Sequence, residues 1–246
     1  MAALSEYERY HFDLRGYVVR RGALKPKHVA QLLRAWDALG LPSAGTTIQS
    51  QRFVGHLARD ASFRDLLDHP AVLDVVLELC GPFARLDHTY GIVMAPGTSG
   101  LGLHGGATPF DPAQYYLVEG GHPHAGLVAA LWSLTDSEPG DGGFACIPGS
   151  HRASFAMPRG VDLHSELVLE VALGAGDVIL FTEALTHATL PWRARHERRV
   201  LAYKYSPGNS SWSEDHRLPD ELAPLLSPRQ RLLFQPPAVA YRQPLR

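Results

Sequence analysis

The chain has 246 residues, of which 45% are hydrophobic and 20% charged, with a formal net charge of −2. These values are typical of a soluble globular protein and give no long-range attraction to nucleic acid polymers or anionic membranes. Two cysteines without metal-binding spacing favour a reducing compartment, and no apolar run suits a signal sequence or a membrane span, so the sequence predicts a cytoplasmic protein.

The first third of the chain predicts one strand and two helices. Residues 12–22 are typical of a short strand. Apolar side chains at helical spacing over residues 29–39 predict an amphipathic helix, which Gly40 follows. Pro70 suits the first turn of a second helix, and Gly81 is expected to end it.

The pattern changes after residue 82 to short segments rich in β-branched and aromatic residues, separated by Gly/Pro turns. Many short strands after a helical layer predict a mainly β fold, either a sandwich or a jelly roll, with helices on one face. We expect a single domain with a helical layer at 1–82, a jelly-roll core at 83–206 and a C-terminal extension at 207–246. The predicted strands are 83–95, 126–135, 143–148, 166–173, 177–182, 187–191 and 198–206.

Three residues of the β region suggest a metal centre. His104 follows a glycine-rich segment, His187 lies 83 residues later and Arg198 another 11 residues on. Two neutral imidazoles from different strands can bind Fe(II) on one side and leave other positions open. An arginine near the second histidine can bind a dicarboxylate through two parallel hydrogen bonds.

The chain resembles the phytanoyl-CoA dioxygenase family of Fe(II)/2-oxoglutarate enzymes over nearly its whole length. The similarity includes FDLRGYVVRRGAL, DHPAVLDVVLELCG, LWSLTDSEPGDGGFACIPGSHR and GDVILFTEALTHATLPW, and GDGGF…PGSHR is the most specific part. The resemblance implies a double-stranded β-helix and an enzyme that uses Fe(II), 2-oxoglutarate and O2.

The same resemblance implies roles for individual residues. His104 and His187 are the expected iron ligands, and Arg198 is the expected anchor for 2-oxoglutarate. Arg199 competes for the anchor role, because strand alternation turns only one of the two inward. Trp132 matches a position that in the family lies beside the co-substrate.

One position departs from the family pattern. The first family motif is His-X-Asp, with the aspartate as third iron ligand, whereas this chain has Gly106 at the third place. In the related halogenases a small residue there leaves a coordination position for chloride. The interpretation we favour from the sequence is therefore a halogenase that chlorinates an unactivated aliphatic carbon.

Two other interpretations remain open. A carboxylate supplied by Glu183 or Asp111 would make the protein a hydroxylase, and Glu183 would share the face of His187 on a regular strand. A substrate-contacting or solvated acid is nevertheless the favoured interpretation of Glu183. Alternatively, the chain is a non-catalytic jelly-roll binding protein. Asp111 is more easily explained as a turn residue within the long segment 105–126, which we expect to form a loop over the site.

The expected partner is a free small molecule, with a nucleotide as the favoured example; the oligomeric state stays undetermined. His88 and Tyr90 share one face of a predicted strand and are candidate substrate contacts. Tyr115 has a ring suited to stacking, and Trp192 follows the distal histidine closely, so both are further candidates.

Overall fold

A computed structural model describes residues 4–42, 50–214, 217–240 and 242–245. Its centre is a pair of antiparallel sheets that face each other, a double-stranded β-helix. The helices are α1 (Glu6–Arg15), α2 (Pro26–Asp37), α3 (Ala61–Arg64), α4 (Pro70–Cys80) and α5 (Pro228–Leu232). The strands are β1 (Tyr17–Arg20), β2 (Ser50–Phe53), β3 (Arg85–Met94), β4 (Leu101–His104), β5 (Tyr116–Glu119), β6 (His122–Ala125), β7 (Val128–Ser133), β8 (Gly143–Cys146), β9 (Leu169–Glu170), β10 (Val178–Thr182), β11 (His187–Leu190) and β12 (Arg198–Ser206).

The N-terminal segment begins with a helix that the sequence did not predict. Ser5 caps α1 and exchanges hydrogen bonds with Glu8 in a capping box, and Gly16 ends the helix with φ of 80°. The strand expected over 12–22 is therefore wrong in its first half, because helix continues to Arg15 and β1 covers only Tyr17–Arg20.

The two predicted helices are confirmed as α2 and α4. Each has proline in its first turn, where a missing backbone N–H costs nothing, and Gly81 ends α4 as expected. Both helices bury an apolar face against the six-stranded sheet, which has the strand order β1-β10-β7-β12-β3-β2. Because β1 and β2 occupy its two edges, the segment 1–82 is not purely helical: it supplies both edge strands.

The second sheet has the order β4-β11-β8-β9 and covers the other face of the first. Phe144 of β8 packs on Phe181 of β10 with ring centroids 4.8 Å apart, so β8 lies over β10. Glu183, just before β11, lies 2.8 Å from Lys204 of β12 and 3.9 Å from His187 of β11, so the start of β11 lies close to β12. This region contains the site described below.

The segment 105–126 is not simply the loop that the sequence predicted. Its second half forms a hairpin, β5 and β6, joined by Gly120 and Gly121 with φ of 57° and 79°. The segment 166–173 contributes only the two-residue strand β9, while the other six predicted strands are present. No helix in the described residues has the length and apolarity needed to cross a membrane.

Candidate active site

His104 and His187 lie opposite each other on the paired strands β4 and β11. Their ring centroids are 4.2 Å apart. Nδ1 of His104 is 2.9 Å from the carbonyl oxygen of Gly102, and Nδ1 of His187 is 2.7 Å from that of Leu185. Since a carbonyl only accepts, each Nδ1 carries the proton, and each Nε2 has its lone pair free for a metal ion.

His187 is the buried member of the pair. It packs against the rings of Phe181 and Phe144 and is 6% exposed. Burial lowers the pKa of His187 to about 4, although Glu183 opposes the shift. The imidazole is therefore neutral near pH 7, as metal binding requires.

The PGSHR motif and the residue before it hold the backbone next to His187 in place. Ser150 Oγ accepts a hydrogen bond of 2.8 Å from the backbone N–H of Thr186, and Ile147 N–H donates to the carbonyl of Thr186. These two bonds fix the turn that precedes His187.

Glu183 lies in the same turn and extends its carboxylate into the interior. Oε2 is 3.9 Å from His187 Nε2, and Oε1 is 2.8 Å from Lys204 Nζ. Burial raises the pKa of Glu183, but the charge of Lys204 and its hydrogen bond to the carboxylate outweigh burial and lower it. The carboxylate is therefore ionised and oriented by the lysine. Its proximity to His187 arises from the turn, not from alternation along a regular strand.

Lys204 is a site residue that the sequence analysis missed. Arg198 and Lys204 are six positions apart on β12, so they share its inner face, and this even spacing was the available signal. The side chain of Lys204 is 12% exposed.

Gly105 and Gly106 follow His104 with φ of 74° and 119°. A Cβ on Gly105 would lie 2.8 Å and 2.9 Å from the carbonyl oxygens of Glu183 and Leu185. A Cβ on Gly106 would lie 3.1 Å from Thr186 Oγ1. The hydroxyl of Thr186 thus occupies part of the space that the missing carboxylate leaves, and a left-handed backbone disfavours any side chain there.

Arg198 and Arg199 point to opposite faces of the six-stranded sheet. Arg199 pairs with Asp37 and Glu197 at 2.6 Å and 3.0 Å on the helix side. Arg198 is 4% exposed and is in contact with Met94 Sδ at 3.4 Å, but no carboxylate of the described residues forms an ion pair with it. Burial lowers the pKa of Arg198 to about 10, so the guanidinium remains charged near pH 7 and lacks a protein counter-ion.

The GDGG motif makes room for this arginine. A Cβ on Gly142 would lie 2.0 Å from the carbonyl oxygen of Pro191, and a Cβ on Gly143 would lie 2.9 Å from Arg198 Nε. Gly143 also has φ of 88°. Both glycines are therefore required by close packing around Arg198 and the turn beside it.

Three predicted site residues lie elsewhere. Trp132 is fully buried on the helix side of β7, with its ring against His69, and so does not face a co-substrate between the sheets. Trp192 is 1% exposed and donates from Nε1 to the carbonyl of His196, so it is a packing residue and not a substrate wall. Tyr115 packs over Gly126 beside the exposed Phe110, outside the space between the sheets.

His88 and Tyr90 lie on the inner face of β3, opposite Lys204 and Ala202 of β12. Their predicted position is thus consistent with the structure. Asp111 accepts a hydrogen bond from the N–H of Ala113 in a turn, as its turn interpretation predicts, and is not a metal ligand candidate.

The donor set fits iron. Two imidazole nitrogens and one carboxylate oxygen are the ligands that non-haem Fe(II) takes in oxygenases of this chemistry. As they stand, no three His, Cys, Asp or Glu side chains within the described ranges surround a common point. The two imidazoles are therefore the donors that already face each other, and the carboxylate of Glu183 lies 3.9 Å from one of them.

Solved structures with a similar fold include a protein that binds a metal ion and 2-oxoglutarate. HygX from Streptomyces hygroscopicus, solved with nickel and 2-oxoglutarate bound, is 25% identical with a TM-score of 0.78, over 89% of this chain and 94% of that one. The same protein with nickel, 2-oxoglutarate and hygromycin B bound gives 25% identity and a TM-score of 0.76. The carbocyclase SnoK from nogalamycin biosynthesis, 18% identical with a TM-score of 0.65 over 93% and 94% of the two chains, shares the fold.

A curated relative and a family model agree with the structural match. The dioxygenase af480 of Aspergillus fumigatus is 25% identical over 187 residues, which are 74% of this chain. This chain spans 57% of the length of that relative. The family model of phytanoyl-CoA dioxygenase (PhyH) matches residues 12–200. The chain therefore belongs to the phytanoyl-CoA dioxygenase family of Fe/2-oxoglutarate-dependent oxygenases.

Proposed function

We propose that the protein is an Fe(II)/2-oxoglutarate-dependent oxygenase that oxidises an aliphatic carbon of a small molecule. His104, His187 and Glu183 would hold the iron, and Arg198 would bind the distal carboxylate of 2-oxoglutarate. Iron bound there would activate O2 as 2-oxoglutarate is decarboxylated to succinate. The structure of HygX with hygromycin B bound supports a small-molecule substrate.

The observation that carries the proposal is the buried carboxylate of Glu183, 3.9 Å from His187 Nε2. A buried anion beside the metal position repels a chloride ion and is itself the better-placed anionic ligand. Its other oxygen contacts Lys204, so Oε2 is the atom left to face the imidazoles. This arrangement favours oxygenation over the chlorination that the sequence suggested.

The protein's own residues prepare the site in two further ways. Arg198 has no carboxylate among the described residues to displace, so the dicarboxylate gains the full charge-assisted pairing. Phe144 and Phe181 cover His187 and keep water from its buried edge.

Chlorination remains the second candidate because of Gly106. Its lack of a side chain keeps one position near His104 open, although Thr186 narrows that space. Exchange of Gly106 for aspartate would place an L side chain at φ of 119°, so loss of activity in that variant would not identify a halide position.

The test uses anaerobic protein loaded with Fe(II) and 2-oxoglutarate. We expect the visible charge-transfer band of the chelate in the wild type, no response of that band to chloride, and succinate formation on admission of O2. Glu183→Gln should lower Fe(II) affinity by about 10- to 100-fold, because the amide is a weak metal ligand and leaves Lys204 without its partner.

Asp111→Asn is the matched control, since it removes the other candidate carboxylate and should change neither the band nor the Fe(II) affinity. A saturable shift of the wild-type band with chloride would contradict the oxygenase proposal and favour chlorination. No band at all would favour a binding protein.

A further inference from the structure

Four side chains form a continuous stack along the inner face of the larger sheet, here called the aromatic row: Arg52, Tyr90, His88 and Trp212. The guanidinium carbon of Arg52 is 3.5 Å from the centroid of the Tyr90 ring. The Tyr90 and His88 rings are stacked at 5.8 Å and 16°, and the His88 and Trp212 rings at 5.4 Å and 29°.

The aromatic row borders the metal site. Arg52 pairs with Ile92 across β2 and β3, and His88 pairs with Lys204 across β3 and β12, so the row shares the inner face with Lys204 and Arg198. Lys204 Nζ lies 5.7 Å from the centroid of the Tyr90 ring and 2.8 Å from Glu183 Oε1, and Glu183 Oε2 lies 3.9 Å from His187 Nε2. The row therefore adjoins the two-histidine site through Lys204.

A buried carboxylate fixes one end of the row. Asp87 is inaccessible to solvent and accepts hydrogen bonds from the backbone N–H groups of Trp212 and Ser213 at 2.9 Å and 3.1 Å. It also accepts from Ser206 Oγ and lies 2.7 Å from His88 Nδ1. One carboxylate thus fixes the imidazole of His88 and the backbone at Trp212.

The contact with Asp87 also determines which ring nitrogen of His88 carries the proton. Burial raises the pKa of Asp87, but hydrogen bonds from His88, Trp212 and Ser206 outweigh burial and hold it well below its usual range. An ionised Asp87 requires the proton on His88 Nδ1. Nε2 of His88 is buried and has no hydrogen-bond partner among the described residues. A ligand group at this nitrogen would satisfy a buried polar atom that now has no partner.

Arg52 presents the complementary charge at the other end. Stacking on Tyr90 uses the flat face of the guanidinium and leaves its N–H groups free in the plane. No Asp or Glu side chain in the described part of the chain forms an ion pair with it. A fixed, unpaired guanidinium of this kind suits a carboxylate or phosphate.

We propose that the aromatic row binds the anionic end of the substrate, with the carboxylate or phosphate on Arg52 and a hydrogen-bonding group of the ligand at His88 Nε2. The substrate class is then a small anionic molecule. This inference rests on the proposed function, because it gives the substrate of the same site.

Trp212 provides a local signal for the test. It is 53% exposed, whereas Trp36, Trp132 and Trp192 are 3%, 0% and 1% exposed. Holoprotein with Ni(II) and 2-oxoglutarate is titrated with phenyl phosphate, phenylacetate and uncharged benzyl alcohol while the heat of binding and Trp fluorescence are both recorded. We expect a saturable change with an anionic probe and none with benzyl alcohol, and the stronger of the two anions identifies phosphate or carboxylate.

Arg52→Gln should weaken binding of the anionic probe by about tenfold or more, since a charge-assisted hydrogen bond is lost. The exposed Arg34 on α2 gives the matched control, Arg34→Gln, which should bind as the wild type does. Trp212→Phe should abolish the fluorescence change while calorimetry still detects binding.

Equal affinity in Arg52→Gln and wild type, or no saturable response to either anion, overturns the inference. The Fe(II)/2-oxoglutarate band is measured on the same variants. A normal band without anion binding refutes only this inference, whereas anion binding without a band refutes only the proposed function.

Discussion

The two faces of the six-stranded sheet differ in the charged and polar groups that they bury. The helix face is closed and mostly apolar, and its tyrosines Tyr203 and Tyr205 donate hydrogen bonds to backbone carbonyls at 2.7 Å and 2.9 Å. The inner face buries Arg198 with no protein carboxylate in the described ranges, and it leaves His88 Nε2 unbonded. A buried charge without a protein counter-ion in the described ranges therefore lies on the face where ligands would bind, whereas the apolar packing of the helix face mainly provides stability.

The largest expected effect is a loss of stability caused by a substitution on the helix face. Trp132→Ala should lower the free energy of unfolding by about 3–5 kcal/mol, because it leaves a cavity beneath α4. Urea denaturation measures this loss. Affinity for 2-oxoglutarate, measured where the variant is folded, should stay unchanged. Trp132→Phe keeps most of the ring and removes an unbonded N–H, so it should cost less than about 1.5 kcal/mol.

The next largest effect is a loss of 2-oxoglutarate binding caused by a substitution on the inner face. Arg198→Met should weaken 2-oxoglutarate binding by about 100-fold, which is about 2.7 kcal/mol, because the ion pair with the distal carboxylate is lost. Calorimetric titration of the Ni(II) protein measures it. The ligand-free variant should be as stable as the wild type or more stable, since a buried charge without a counter-ion is removed.

Arg199→Met is the matched variant on the other face. It breaks the ion pairs with Asp37 and Glu197 and should change stability by at most about 1 kcal/mol. Equal losses of 2-oxoglutarate affinity in the two variants would refute the distinction between the faces.

The third effect, smaller than those of Trp132→Ala and Arg198→Met, concerns the pH dependence of stability and His56 on the helix face. Burial lowers the pKa of His56 to about 4 from its ordinary 6.5, so the unfolded chain binds this proton more readily than the folded one. Stability from His56 is therefore complete above pH 6.5 and is lost as the pH falls toward 4. Between pH 7 and 5 the loss should be about 2 kcal/mol. Denaturation of metal-free protein at both pH values should show a smaller difference in His56→Gln.

The sequence predicted the central strands well because their chemistry is local. The strand β10 is a continuous apolar run, and β12 combines β-branched and aromatic residues. The strand β4 was missed because glycines surround its four residues. The β5–β6 hairpin had a signal in the sequence, the pair Gly120 and Gly121 between two four-residue segments, although a long loop was the expectation for this segment.

The direction of a site residue could be predicted on strands whose two faces differ in polarity or charge. The adjacent arginines had to point to opposite faces, and the alternation that places Arg198 inward also places Lys204 there. Trp132 was misassigned because β7 is buried on both faces, so its sequence has no polar side from which to infer direction. The proximity of Glu183 to His187 depends on a turn, which spacing along a strand does not describe.

The pairing of His104 with His187 has a thermodynamic consequence for the edge of the smaller sheet. The strand β4 has four residues and pairs only with β11 within the described part of that sheet. A metal ion bound by both histidines would cross-link an edge strand to its neighbour, so metal binding and the local opening of β4 become linked equilibria. The concentration of free Fe(II) would then determine the fraction of molecules in which β4 is locally open. Iron would stabilise this edge of the sheet even without substrate.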